Sequence, residues 1–479
     1  MKLYNSLSRK TENFVPLDPS MVKIYSCGVT TYDEIHLGHV RQAVVFDVLR
    51  NYFEYLGYKV IYVRNFTDID DKIIKKANDK HQDPLELSDY YVQETVKDLR
   101  KLKVGDATFQ PKVTETIPEI IDFIGALIDK GNAYVANGEV LFDVDSFTQY
   151  GKLSGRKTED LVSGDESANK RKPYDFSLWK PAKEGEPFWD SPWGPGRPGW
   201  HIECSVMAKK YLGDTFDIHG GGLDLVFPHH ENEIAQSEAA NGKVLANYWM
   251  HNGLVNLNGK KMSKSLGNFY TVKDLLKKYT VDEIRLAVLS RGFSLPLNFS
   301  EKLFVTTRKK LYNFYKILSK IDSILSGTIP DFSVNWAKYE NIDRLESNFK
   351  TAMDDNFNTA KAITSIALAF DQASEVMEIK QEEEKKVVLS VFVKNLRKVA
   401  SVLRILDEDP KKYIDSVKSE FLKSIKVSED EIMALLAKRS KAKESKDYQT
   451  SDEIRKYLTE HKISVQDTKT GTLWDIDFS

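Results

Sequence analysis

The pattern of apolar and polar positions predicts a strand, a helix and a second strand near the start of the chain. Residues 23–27 are typical of a short strand, and apolar residues from Val40 to Leu56 then recur at helical spacing until Gly57 ends the run. The apolar segment 60–66 predicts the second strand. Strand, helix and strand at this length form a β-α-β unit, which predicts a parallel sheet that binds ligands at the carboxyl ends of its strands.

Two predicted helices and a hairpin follow this unit. Helical spacing covers 85–102 and 118–130, and the Asn-Gly pair at 137–138 between two β-rich runs is a strong hairpin signal. The chain then becomes polar, and afterwards rich in proline, glycine and tryptophan. We therefore predict that about 104–198 is an insertion into a nucleotide-binding domain. A strand and a glycine turn return at 215–228, where Pro228 suits a helix start.

The pattern changes beyond about residue 300. Long amphipathic stretches at 301–326, 341–373 and 383–405 predict a helical bundle. The Asp-Pro pair at 409–410 marks a boundary, and helices followed by short strands are predicted after it. The fold class is therefore α/β, with a helical bundle and a small α+β region at the end. We expect domains at 1–300, 301–408 and 409–479.

Composition narrows the class of protein. A chain of 479 residues with 41% hydrophobic residues is long enough for roughly two to four domains. No apolar run approaches the roughly 20 residues that a bilayer span requires, and the segment MKLYNSLSRKTENF lacks the apolar centre of a secretory signal. The net charge of −2 argues against a wholly basic nucleic-acid coat protein. We expect a cytoplasmic protein.

The chain has only two cysteines, and both lie in unusual strings. Cys27 is in KIYSCGVTTYDEIHLGH, Cys204 is in PGWHIECS, and FPHHENE follows at 227–233. Thiolate, imidazole and carboxylate are the ligands of four-coordinate zinc. On a helix Glu233 faces the histidine four residues before it as well as the one three residues before it, so spacing prefers His229 without excluding His230. The alternatives are buried apolar cysteines or a disulfide, and the missing signal segment disfavours the disulfide.

Two further motifs suit chemistry on a nucleotide. The predicted first helix opens with His36-Leu37-Gly38-His39, where free N–H groups and the helix dipole favour anions and the glycine lets a base approach the backbone. A turn ahead of 261–265 presents the string Lys-Met-Ser-Lys-Ser, whose two ammonium groups suit a departing pyrophosphate.

These motifs resemble the HIGH and KMSKS signatures of class I aminoacyl-tRNA synthetases, with Leu37 in place of isoleucine. The strings CGVTTYDEIHLGH, RNFTDIDDKI, GWHIECS, FDIHGGGLDLVFPHHENEIAQSE and KMSKSLGN are similar to the cysteinyl-tRNA synthetase family. The resemblance covers nearly the whole chain, most specifically 21–75 and 196–292. It implies a Rossmann-like catalytic domain with a stem-contact region at about 250–300, followed by the helical bundle and an anticodon-binding domain.

The resemblance also implies a reaction and its site residues. We expect a ligase that activates L-cysteine with Mg²⁺-ATP as cysteinyl-adenylate and charges tRNA(Cys), as a monomer with one zinc ion and without a membrane. The family's zinc ligands match Cys27, Cys204, His229 and Glu233, which selects His229. Its amino-acid contacts match Thr67 and Trp200. Its ATP-binding and catalytic positions match His36, Gly38, His39, Asp224, Lys261 and Lys264. The anticodon contacts match Tyr448, Asp452 and Asp467, with tyrosine where the family often has tryptophan.

Zinc also explains how such an enzyme selects its amino acid. Cysteine has a sulfur where serine has an oxygen, and the shape of a pocket alone distinguishes the two amino acids poorly. Zinc, in contrast, binds a thiolate far better than an alcohol. No editing domain is then needed. The alternative is a closed structural zinc site. The acidic residues Asp68, Asp70 and Asp71 resemble a magnesium cluster, but acids at a helix N-terminus are the simpler interpretation.

Two rival functions share these motifs. One is a ligase that joins activated cysteine to an amino sugar, but such a ligase would have no use for residues 405–479. The other is a silent RNA- or zinc-binding module, which the intact His36, His39, Lys261 and Lys264 disfavour.

Overall fold

A computed structural model of the protein describes residues 1–157, 167–261, 269–468 and 471–478, with only the backbone of Lys260 and Lys261. The described residues form two compact units. The first unit contains Met1–Ser300, Glu346–Ser365 and Val402–Arg404, and the second contains Glu301–Leu345, Ile366–Ser401 and Ile405–Ser479. The three-domain division made from the sequence stays a prediction.

The first part of the chain alternates strands and helices. Its elements are β1 (Lys2–Asn5), β2 (Lys10–Asn13), β3 (Met21–Thr30), α1 (Leu37–Tyr55), β4 (Lys59–Thr67), α2 (Asp71–Lys80), α3 (Pro84–Lys101) and α4 (Ile117–Asp129). The helices begin where sequence signals place them, since Asp70 caps α2, and Asp83 caps α3 ahead of Pro84. Gly57, with a positive φ of 93°, follows α1.

The middle of the chain carries an antiparallel sheet and then returns to strand-helix units. Its elements are β5 (Ala133–Ala136), β6 (Glu139–Phe142), β7 (Phe176–Pro181), β8 (Gly196–Pro198), α5 (Ile202–Leu212), β9 (Phe216–Gly222), α6 (Glu231–Asn241), β10 (Ala246–Asn252), β11 (Val255–Leu257), β12 (Lys260–Lys261), α7 (Val272–Leu276), α8 (Val281–Leu289) and β13 (Leu297–Phe299).

Among the described residues, four strands form the central parallel sheet in the order β10-β9-β3-β4. The predicted β-α-β unit is β3, α1 and β4. Strands β5 to β8 form a separate antiparallel sheet, and its first hairpin turns at the predicted Asn137-Gly138 pair, where both φ angles are positive. This second sheet lies within the range predicted for the insertion.

One helix start differs from the prediction. Helix α6 begins at Glu231 rather than at Pro228, because Phe227 has an extended backbone that interrupts the helical run. The chain makes an irregular turn over Val226–His230 before the regular helix starts. His229 therefore precedes α6 but still lies one turn before Glu233.

The later part of the chain is mostly helical. Its elements are α9 (Glu301–Ile324), α10 (Glu340–Asp343), α11 (Leu345–Asp354), α12 (Thr359–Val376), α13 (Glu382–Leu403), α14 (Pro410–Ile425), α15 (Glu429–Glu444), α16 (Tyr448–Glu460), β14 (Ile463–Thr468) and β15 (Gly471–Ile476). The predicted stretch 341–373 is thus three helices rather than one. Within the described ranges, no helix combines the length and the apolar composition that a membrane span requires.

Candidate active site

The metal ligands predicted from the sequence lie on three neighbouring elements of the first unit. Cys27 is near the carboxyl end of β3, Cys204 is in the first turn of α5, and Glu233 is in the first turn of α6. His229 lies in the turn before α6. All four side chains are buried, with at most 2% of each residue exposed. The carboxyl ends of parallel strands are where such folds bind ligands.

The four side chains converge on one point. Their donor atoms all lie within 4.8 Å of one another. The Cys27 and Cys204 sulfurs are 3.7 Å apart, Cys27 Sγ is 3.2 Å from Glu233 Oε1, and His229 Nε2 is 3.0 Å from the same oxygen. Both cysteines are free thiols, so the disulfide alternative is wrong. Two sulfurs, one nitrogen and one oxygen match the ligand set that zinc favours.

The electrostatics of this cluster favour binding a cation. Burial alone would raise the pKa of Cys204, but the hydrogen bond from Cys27 and the charge of His229 lower it to about 6. Burial also opposes the charge on His229, yet the Glu233 and Cys204 anions raise the pKa of its imidazole to about 10. Burial, Cys204 and Glu233 together raise the pKa of Cys27. Without a metal, Cys27 therefore stays a neutral thiol, and the protonated His229 offsets only one of the two anions, Cys204 and Glu233.

A second set of buried histidines surrounds the same carboxylate. His219 Nε2 lies 2.8 Å from Glu233 Oε2, and its ring stacks on Trp249 at 4.3 Å. His230 Nε2 lies 4.0 Å from Glu233 Oε1. The donor atoms of Cys27, His219, His230 and Glu233 also lie within 4.8 Å of one another. The described residues thus offer two overlapping ligand sets, and the sequence interpretation missed His219.

The tautomer of His229 suits metal binding. Its Nδ1 lies 3.0 Å from His201 Nδ1, and burial first, then the charge of His229, hold the pKa of His201 well below its usual value. When the proton of a neutral His201 is on Nε2, its Nδ1 accepts the Nδ1–H of His229, and His229 Nε2 is left facing the cysteines and Glu233. His201 stands in the string GWHIECS that the sequence singled out, but a lone histidine there carries no signal of this role.

A cavity of about 470 Å³ opens beside the cluster. Trp200, His201, Thr30, Lys72 and Lys180 contribute to its lining. The Trp200 ring lies 4.5 Å from the His229 ring, which places this predicted pocket residue next to a predicted metal ligand.

Thr67, the other predicted amino-acid contact, is buried and donates a 2.6 Å hydrogen bond to Glu203. Sequence reasoning missed Glu203, the neighbour of Cys204. Burial first, then the charge of Cys204, raises the pKa of Glu203 well above its usual value.

The two histidines of the HLGH motif lie together at the start of α1. Their rings stack with centroids 3.8 Å apart, Gly38 N donates to His36 Nδ1 at 3.1 Å, and His36 N donates to His39 Nδ1 at 3.3 Å. Both imidazoles are half-buried and cap the helix start. The capping bonds use Nδ1 of each ring, so the Nε2 atoms take no part in them.

The remaining predicted nucleotide contacts are described in part. Asp224 follows the end of β9 and is exposed, with its carboxylate close to the backbone of Gly222. Lys264 lies outside the described residues, and Lys261 is described only as backbone in β12. Residues Asn258 and Gly259 form the predicted turn, both with positive φ.

The acidic run after β4 has structural roles, as the simpler interpretation predicted. Asp70 caps α2 by accepting from Lys72 N at 2.9 Å. Asp68 instead accepts from the backbone and the hydroxyl of Thr114, so it does not cap the helix. Asp71 forms ion pairs with Lys180 and Arg197.

The predicted anticodon residues lie in the second unit. Tyr448, at the start of α16, is 65% exposed, and Asp452 is also exposed. Asp467 in β14 forms ion pairs with Arg439 at 2.8 Å and Lys443 at 2.5 Å. Hydrogen bonds from Arg439 and Lys443 hold the pKa of this carboxyl well below its usual range.

Two family models match the chain. The model described as the tRNA synthetases class I (C) catalytic domain matches residues 13–309, and the model described as the DALR domain matches residues 348–407. The first match covers more than half of the chain.

Individual relatives match along nearly their full length. A cysteine–tRNA ligase of Geotalea daltonii is 45% identical over 99% of this chain and 99% of its own, and one of Clostridioides difficile is 45% identical with the same coverage. Among solved structures, Mycobacterium tuberculosis methionyl-tRNA synthetase in complex with methionyl-adenylate superposes with a TM-score of 0.64 over 83% of this chain and 93% of its own. At 14% identity that likeness shows the fold alone.

Proposed function

The chain belongs to the cysteine–tRNA ligase family of class I tRNA synthetases, and from this premise we propose that it charges tRNA(Cys) through cysteinyl-adenylate at a zinc-containing site. As a member of this family it is a ligase that aminoacylates tRNA. The proposal adds the intermediate, the metal and the residues.

The observation that carries the proposal is the convergence of two sulfurs, one nitrogen and one oxygen beside the Trp200 cavity. We prefer Cys27, Cys204, His229 and Glu233 to the overlapping set because they supply two thiolates. His229 Nε2 also lies nearer to Glu233 Oε1 than His230 Nε2 does, at 3.0 Å against 4.0 Å. A bound zinc ion would supply preference for a substrate thiolate over an alcohol.

The first step needs positioning and charge rather than a protein nucleophile. The cysteine carboxylate attacks the α-phosphate of Mg²⁺-ATP, the bond to the β-phosphate oxygen breaks, and pyrophosphate leaves. Imidazole groups of His36 and His39 stand at the N-terminus of α1, where N–H groups and the helix dipole favour phosphate. We assign the departing pyrophosphate to Lys261 and Lys264, and the ribose to Asp224.

In the second step a terminal ribose hydroxyl of the tRNA attacks the carbonyl of the adenylate. The new ester bond forms as the bond to AMP breaks, and AMP leaves with the proton balance completed by solvent. Trp200 and Thr67 hold the amino acid during both steps in this proposal. Tyr448, Asp452 and Asp467 contact the anticodon bases, with Asp467 already oriented by Arg439 and Lys443.

Cysteine-dependent exchange of pyrophosphate into ATP tests the first step. We expect exchange with zinc-loaded enzyme and its loss in Cys204→Ala and His229→Ala, each with less than one zinc per chain by elemental analysis. His230→Ala is the matched control, because it removes the neighbouring imidazole and should keep zinc. Zinc that is lost in His230→Ala but kept in His229→Ala would overturn the preferred ligand set.

Charging of tRNA tests the second step and the selectivity. With a large serine excess, we expect cysteine alone to appear on tRNA(Cys). A protein that charges no tRNA but joins cysteine to an amino sugar would contradict the proposal.

A further inference from the structure

Arg41 is a buried cation held by backbone carbonyl groups. It lies in α1, five residues after His36, and its side chain is fully buried. One guanidinium nitrogen donates to Gly253 O at 2.8 Å and Leu254 O at 2.9 Å. The other donates to three carbonyls, those of Gly292, Phe293 and Leu295. In the described ranges, no ion pair joins Arg41 to a carboxylate.

The two segments that Arg41 holds lead into neighbouring strands. Residues 253–254 precede β11 and residue 295 precedes β13, and these strands pair in parallel. Gly253 N also donates to Phe293 O at 2.9 Å, and a Cβ on Gly253 would collide with the Leu295 carbonyl. The segments therefore lie side by side at close distance, and Arg41 ties both of them to α1.

Strand β11 also pairs with β12, whose last residue is Lys261. Lys261 is the first residue of the lysine-serine string. Hydrogen bonds thus connect α1, which begins at the HLGH motif, through Arg41 to the segment that leads into β11. Strand β11 in turn pairs with β12, which ends at the first residue of this string. Both motifs serve the same nucleotide in the proposed reaction.

Burying a guanidinium costs free energy, because a charge that is removed from water needs good hydrogen-bond partners. Burial, and secondarily Arg291, lower the pKa of Arg41 to about 10, so it keeps its charge at neutral pH. Five carbonyl acceptors in two segments fix the position and the orientation of both segments relative to the guanidinium group, which an apolar side chain would not do.

We propose that Arg41 is a positioning residue for adenylate formation, which sets the placement of β11 and β12 relative to the histidines of α1. The inference rests on the proposed activation of cysteine by ATP. Groups displaced by about 1 Å from their reacting geometry commonly lower rates by ~100-fold.

The test compares two variants of Arg41 with the wild-type enzyme. In Arg41→Gln we expect kcat for cysteine-dependent pyrophosphate exchange to fall by ~100-fold, with KM for cysteine and zinc content within about twofold of wild type. Arg41→Lys keeps the positive charge but lacks the planar guanidinium group. We expect its kcat to fall by roughly 10-fold, between the values of wild type and Arg41→Gln. Hydrogen exchange should speed up at 253–257 and 292–297 in both.

Arg285 offers a matched control. It is also a fully buried arginine on a helix, and it donates to the carbonyls of Leu102, Lys103 and Leu403 and pairs with Asp47 at 2.8 Å. None of these groups belongs to β11, β12 or β13. We expect Arg285→Lys to lower the unfolding temperature while kcat of the folded enzyme stays within about twofold of wild type.

The outcomes separate the two claims. Wild-type enzyme without cysteine-dependent exchange contradicts the proposed function. Active wild type together with unchanged kcat in Arg41→Gln overturns the role of Arg41, and so does a loss confined to zinc or to KM for cysteine. If Arg41→Gln does not fold, Arg41→Lys decides: a kcat equal to wild type overturns the inference.

Discussion

Cys27 and Cys204 illustrate what single residues contribute to the site. Their sulfurs lie 3.7 Å apart without a disulfide bond, and their surroundings shift the two pKa values in opposite directions. Burial raises the pKa of Cys27, and Cys204 and Glu233 raise it further, whereas the hydrogen bond from Cys27 and the charge of His229 lower the pKa of Cys204 against the effect of burial. One thiolate and one thiol are thus present at neutral pH.

This difference predicts how many protons zinc displaces. At pH 7 Cys27 and His229 hold protons and Cys204 is mostly a thiolate, so zinc binding by the preferred ligands should release about two protons per site. Calorimetric titration of metal-free enzyme in buffers of different ionisation enthalpy measures this number. Affinity should fall as the pH falls, because protons compete with the metal.

The same titration separates the two candidate histidines. Burial and the charge of His219 hold the pKa of His230 well below its usual value, so His230 has no proton to lose. If His230 replaced His229 as ligand, His229 would keep its proton and roughly one proton would be released.

At the scale of elements, β3 depends on close contact with β4. Gly28 follows Cys27 at an irregularity in the pairing of these strands, between Ser26 and Val29. Its N–H donates to Asn65 Oδ1 at 2.8 Å, and a Cβ at this position would overlap the Asn65 carbonyl. The glycine therefore lets β3 place Cys27 beside the ligands on α5 and α6.

We predict that Gly28→Ala lowers the free energy of unfolding by about 1–3 kcal/mol, since the strands must separate to admit the methyl group. Zinc affinity should fall with it, because Cys27 is the adjacent residue. Urea denaturation and zinc titration measure the two effects.

Gly125→Ala is the control for this substitution. Gly125 lies within α4, where an added Cβ meets nothing within 4 Å. Alanine should raise the free energy of unfolding by up to about 1 kcal/mol there, through its higher helix propensity. A Gly28→Ala enzyme as stable as this control would refute the packing argument for β3.

At the scale of the whole molecule, the residues proposed for catalysis and those proposed for anticodon recognition lie in different units. The metal ligands, the HLGH histidines and Trp200 belong to the first unit, and Tyr448 and Asp467 belong to the second. Pyrophosphate exchange needs only the former, whereas recognition of tRNA also uses the latter in our proposal.

We predict that Tyr448→Ala raises KM for tRNA(Cys) while leaving cysteine-dependent pyrophosphate exchange unchanged. Stacking of one base on an aromatic ring contributes about 1–3 kcal/mol, so the rise should be roughly 5- to 150-fold. Tyr90→Ala is the control, since Tyr90 is 54% exposed on α3 of the first unit. Equal effects of the two variants on KM would contradict an anticodon role for Tyr448.

Short segments of the sequence were enough to predict the α/β fold class, the first β-α-β unit, the Asn137-Gly138 hairpin and the family, because each segment encodes local periodicity, turn residues or a contiguous motif. The family strings also identified Cys27, Cys204, His229 and Glu233 as the expected metal ligands. Spacing alone did not exclude His230.

The surroundings of those residues follow from the folded chain and not from any single segment. The extended backbone of Phe227 displaces the start of α6, and packing gives His219, His201 and Glu203 roles at the site that their strings did not indicate. The bonds of Arg41 to segments more than 200 positions away depend on the parallel pairing that brings the starts of β11 and β13 together. Such contacts arise from burial and hydrogen bonding between distant segments, which no local pattern encodes.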